Sequence, residues 1–155
     1  MTVQAHEAEY PELTATYWMN ITIAGLVAGL LMGIVMFRVM GIMQAVGSLY
    51  GFAATGPGWI AHLFHAVVFA LIFGGFYMWA PLKVFRDRIL ASVTIGIIWG
   101  VVLWFLAAGV VMPLWLEAVS TTAPPALPSL NPVSGLGHVL YGAVLGGVAA
   151  ALQKY

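Results

Sequence analysis

The chain contains no cysteine, which excludes disulfides, thiolate metal sites and thiol catalysis. It is also poor in charge. Only 6% of its 155 residues are charged and 63% are hydrophobic, whereas soluble domains carry about 25% charged residues. A surface built from this composition is too apolar for water, so an integral membrane protein is the expected class, with the lipid bilayer as its surroundings. Acidic and basic residues balance to a formal net charge of zero, and without a basic run no nucleic-acid partner is expected. The opening "MTVQAHEAEYPEL" is acidic and has no apolar core. It reads neither as a signal peptide nor as a transit peptide, and the first apolar span is expected to act as an uncleaved anchor.

The few charges are segregated. Glu7, Glu9 and Glu12 fall in a polar tail over residues 1–16, Lys83, Arg86, Asp87 and Arg88 form one cluster, and Arg38, Glu117 and Lys154 stand apart. Between them run uncharged segments long enough to cross roughly 30 Å of hydrocarbon at about 1.5 Å per residue. The expected spans are 17–37, 58–80, 89–113 and 135–153, within a single membrane domain over 1–155. Cytoplasmic loops carry an excess of Lys and Arg. With both termini in the cytoplasm of a multi-pass cell-membrane protein, Lys83, Arg86, Arg88 and Lys154 lie inside and only Arg38 outside. The loop 38–57 and the Pro-rich "TTAPPALPSLNP" (121–132) then face outward. In the first of these, Val39, Ile42, Met43, Val46, Leu49 and Tyr50 recur at helical spacing. They predict a short outer interfacial helix, ended by Gly51 and by the glycines and proline around residue 57.

The two halves of the chain resemble each other. "ITIAGLVAGLL" (21–31) aligns with "VTIGIIWGVVL" (93–103), placing Thr22 on Thr94, Ile23 on Ile95, and Ala24 and Ala28 on Gly96 and Gly100. The register continues with "VMGIM" (39–43) over "VMPLW" (111–115); after a short loop insertion, His62 falls on His138 and Ala66 on Gly142. The expectation is a two-span hairpin used twice in parallel, over about 17–80 and 89–153, the repeats related by an axis along the membrane normal. Gly25, Gly29 and Gly33 in span one, and Gly142, Gly146 and Ala150 in span four, recur every four residues. They form smooth strips for helix–helix packing.

Histidine is the polar residue to explain. His62 and His65 lie near the start of "GWIAHLFHAVVFALIFGGFY" (58–77), and His138 near the start of "SGLGHVLYGAVLGG" (134–147). Polar side chains in spans tend to face the bundle interior and to mark function. One reading is structural, with His62 and His138 bonding backbone groups at the loop ends. A second is haem b held axially by His62 and His138, Ala66 and Gly142 leaving room for the ring. A third is copper or zinc held by His62, His65, His138 and Glu117, which suits imidazole and carboxylate ligands. His6 reads as a solvated residue of the tail. Glu117 lacks a nucleophile–base pair that would support catalysis, and the middle of each span is aliphatic, aromatic or glycine, which ranks a transporter or pore-forming oligomer last.

"IAGLVAGLLMGIVM", the outer helix, "GWIAHLFHAVVFALIFGGFY" and "VVMPLW" together resemble small uncharacterised four-span prokaryotic membrane proteins with a Gly-rich first span and a His-bearing second span. That resemblance implies the fold and no activity. The sequence therefore points to an all-α bundle of four transmembrane helices. Its expected role is that of a small non-catalytic subunit of a larger membrane complex of respiratory or redox type, or else of a homo-oligomer.

Overall fold

The computed structural model describes residues 14–85, 88–119 and 125–153. His6, the acidic tail, Arg86, Asp87 and Lys154 lie outside them. The described residues are helical, with no strand, and four helices among them are long and apolar enough to cross a membrane. Helix α1 (Ala15–Val35) continues through a π-helical segment, Met36–Met40, and is followed by the short α2 (Met43–Ser48). Next come α3 (Thr55–Tyr77), a single turn α4 (Ala80–Lys83) and α5 (Ile89–Leu103). A second π-helical segment, Trp104–Val111, carries α5 into α6 (Met112–Val119), and α7 (Pro132–Leu152) closes the chain. The end of the bundle carrying α2 is termed distal here, and the end carrying α4 proximal.

Helix boundaries follow local chemistry. Thr14 caps α1 by accepting from the Tyr17 N–H at 3.2 Å. Asn131 caps α7 through Oδ1, which accepts from the N–H groups of Val133 (2.9 Å) and Ser134 (3.2 Å), and Pro132 sits where its missing N–H costs nothing. The third span runs to Val119, six residues past the expected end at 113, despite Pro113. Proline cannot return a hydrogen bond to the carbonyl four residues back. Here that carbonyl belongs to Gly109, and it accepts from the Ser129 N–H at 2.9 Å. The connection 125–131 thus supplies a donor to a carbonyl that in hydrocarbon must be satisfied from within the protein.

Small residues set the packing. A Cβ added at Gly25 would lie 2.5 Å from the Cβ of Ala70, and one at Gly29 would lie 2.5 Å from that of Ala66, so α1 and α3 meet at close range. On the other side, Gly96 meets the backbone of Gly142, Gly100 that of His138, and Gly146 that of Ser92. The faces of α5 and α7 therefore touch backbone to backbone, the contact that associates helices where lipid offers no hydrophobic drive. α7 also packs on α1, and Asn20 Nδ2 donates to the Leu152 carbonyl at 3.1 Å. The ring closes between α3 and α5, where Phe73 and Phe76 meet Trp99 and the Tyr77 hydroxyl donates to Ser92 Oγ at 2.7 Å.

The short outer helix forms, and its apolar residues face protein. Met43, Val46 and Leu49 are buried, Gly58 abuts the Met43 carbonyl, and Gly47 abuts that of Phe52. α2 is thereby a plug seated on the start of α3.

Candidate functional site

At the distal end the four spans do not pack to closure. A cavity of about 170 Å³ lies there, lined by all four spans together with α2 and mostly by apolar side chains. Both π-helical segments contribute to its wall, through Met36 on one side and Ala107, Ala108 and Val111 on the other. A π-helical turn widens the helix by one residue and occurs frequently at functional sites.

Three of the four sequence-selected residues meet here. His62, His65 and His138 all line the cavity. His62 is buried and its Nε2 lies 2.8 Å from the Gly29 carbonyl on α1. A carbonyl only accepts, so Nε2 carries the hydrogen and donates, and in the neutral ring Nδ1 keeps the lone pair. His138 is the converse: its Nδ1 donates to the Ser134 carbonyl at 2.8 Å, which leaves the lone pair on Nε2. His65 Nε2 is 2.7 Å from the Tyr50 hydroxyl, and its ring also touches Trp115. Tyr50 in turn packs edge-on against Trp115, with ring centroids 5.4 Å apart.

Glu117 is not among the residues around the cavity; its side chain is exposed. Among the described residues no three His, Cys, Asp or Glu side chains are grouped to hold a metal ion. Of the two residues expected to leave room for a haem ring, Ala66 lines the cavity, whereas Gly142 is packed against Gly96 of α5. Both histidines bond backbone carbonyls, as the structural reading expects: Ser134, the partner of His138, lies at the end of the Pro-rich loop, whereas Gly29, the partner of His62, lies well inside span one.

Reasoning from sequence did not single out Met32, Met36, Met112 and Tyr141, which share the cavity wall. In a chain this apolar a methionine has no periodic signature that separates a lining residue from a lipid-facing one. Tyr141 is one turn beyond His138 and its hydroxyl donates to the Ala66 carbonyl at 2.6 Å, forming the floor between α7 and α3. No family model matches the chain, and neither do any curated protein or any solved structure.

Proposed function

We propose that this integral membrane protein is a small non-catalytic subunit of a larger membrane assembly, inserted in the cell membrane with both termini cytoplasmic. The observation that carries this reading is the uneven cover of the spans. Of the most apolar stretch of the third span 22% is buried, against 50% for the fourth. Ile98, Val101, Val102, Phe105 and Leu106 form an exposed apolar strip along it, a face for lipid or for the neighbouring subunit that this reading places there. The test is purification from native membranes in mild detergent, with the mass measured by light scattering. An assembly several times the chain's 16.5 kDa that contains other polypeptides is the expected result; a 16.5 kDa monomer overturns the reading.

A second reading, favoured by the presence of His62, His65 and His138 on the wall of one cavity, is that the protein holds a cofactor there, either haem b or a copper or zinc ion. The cavity volume of about 170 Å³ and the packing of Gly142 against Gly96 favour a metal ion over the ring of a haem. A reduced-minus-oxidised absorbance spectrum with metal analysis of the purified protein tests it. A b-type band or a stoichiometric metal supports it, and a flat spectrum with no metal overturns it.

A further inference from the structure

We infer that the distal cavity is a binding site for a soft monovalent metal ion, copper(I), held by imidazole nitrogens of His62 and His138 together with thioethers of Met32, Met36 and Met112. The inference rests on the cofactor reading above and names its ligand class and donor set.

Three observations lead to it. The first is the state of the two imidazoles. Each gives its N–H to a backbone carbonyl, His62 to Gly29 and His138 to Ser134. Metal-ligating histidines almost always have their second nitrogen anchored in this way, which fixes the ring and raises the basicity of the free nitrogen. Both residues line the cavity, and each neutral ring keeps a lone pair on the nitrogen that does not donate to the backbone.

The second is the identity of the other donors. Imidazoles and carboxylates alone do not make a site, because no group of three His, Cys, Asp or Glu occurs among the described residues. The wall does hold Met32, Met36 and Met112. Of these Met32 and Met36 are buried, on the turn of span one that becomes π-helical. Thioether sulfur is a soft ligand and selects copper(I) over the harder divalent ions.

The third is charge. No acidic side chain lines the cavity, and Glu117, the carboxylate closest to it in the sequence reading, is exposed. A bound ion would keep its whole charge in a low-dielectric setting. The Born cost of that burial rises with the square of the charge, so a divalent ion costs about four times as much as a monovalent one. Neutral ligands in an apolar wall therefore discriminate against zinc(II) and for copper(I).

The test uses the full chain in detergent, loaded anaerobically with copper(I) in competition with a chromophoric copper(I) chelator, and read by stoichiometry and by X-ray absorption at the copper edge. The expected result is one copper(I) per chain with both sulfur and nitrogen in its first shell. Replacing an outer-shell partner of a metal already costs 10- to 100-fold in affinity, so loss of a direct ligand in His138→Ala or in Met36→Leu/Met112→Leu should weaken binding at least about ten-fold. Met19→Leu alters a methionine that is 56% exposed and should leave binding unchanged. Leucine nearly matches methionine in volume, so the double methionine variant carries the test if His138→Ala fails to fold. Tight zinc(II) with a nitrogen-only shell, or haem absorbance, overturns the copper(I) assignment while keeping the cofactor reading. Retention of none of copper, zinc or haem overturns both, and the subunit reading then stands on its own mass measurement.

Discussion

The hydroxyl of Tyr141 on α7 reaches the Ala66 carbonyl on α3 at 2.6 Å, a bond between the second and fourth spans directly under the histidines. Tyr141 is 2% exposed and Ala66 4%, so the bond is shielded from bulk solvent. Tyr141→Phe keeps the ring and removes only that bond. The expected loss is about 0.5–1.5 kcal/mol, toward the lower end because hydrogen bonds between membrane helices average about 0.6 kcal/mol. Unfolding of wild type and variant in mixed detergent micelles measures it, and an unchanged midpoint would show that the bond adds nothing.

The α5–α7 contact predicts a sharp contrast between two glycines. A methyl group at Gly142 would run into the Gly96 backbone, whereas one at Gly75 would meet open space. Backbone atoms cannot step aside as a flexible side chain can, so Gly142→Ala must push the helices apart, at a cost of about 1–3 kcal/mol from overpacking. Gly75→Ala gains up to about 1 kcal/mol of helix propensity. Thermal melts of the two variants should move in opposite directions. Equal shifts would mean that the two helices do not meet at Gly142.

The fold was legible because composition and charge spacing are coarse signals that survive in one sequence. Helix ends were legible to within a few residues, except that of the third span, which runs past its expected end at 113 and through Pro113 to Val119. The effect of the proline is absorbed by a π-helical turn and by the Ser129 N–H at the Gly109 carbonyl, a partner twenty residues away that no local pattern reveals. His62, His65 and His138 stood out as polar residues in apolar spans, and Glu117 stood out for the same reason although it faces away. The methionines of the cavity stayed hidden because their role depends on which face of each helix is turned inward. In spans with apolar residues all round, the sequence carries no such record.

Tyr50 and His65 make a clamp over the cavity, linking the segment after α2 to α3 at 2.7 Å. Tyr50 is 43% exposed, so the bond matters more to local order than to global stability. Tyr50→Phe should leave the melting midpoint nearly unchanged. It should cost about 1 kcal/mol of local opening, which corresponds to roughly five-fold faster amide exchange in α2. Hydrogen exchange read by mass spectrometry decides this, and unchanged exchange over residues 43–50 would show that α2 is held by its packing on α3 without the Tyr50 bond.

The absence of cysteine makes the proposed orientation directly testable, since any introduced thiol is the only one in the chain. Gln44 and Ala126 are exposed at the distal end, and Val84 is 61% exposed at the proximal end. Among the described residues the basic ones weigh toward the proximal side, with Lys83 and Arg88 there and Arg38 distal; such an excess marks the cytoplasmic face. Gln44→Cys and Ala126→Cys should react with a membrane-impermeant maleimide on intact cells, and Val84→Cys only after permeabilisation. The reverse pattern would overturn the orientation and open the histidine cavity toward the cytoplasm. The result therefore fixes which compartment supplies whatever the cavity binds: under the expected outcome a metal ion would reach His138 from outside the cell, past Tyr50 and the α2 plug.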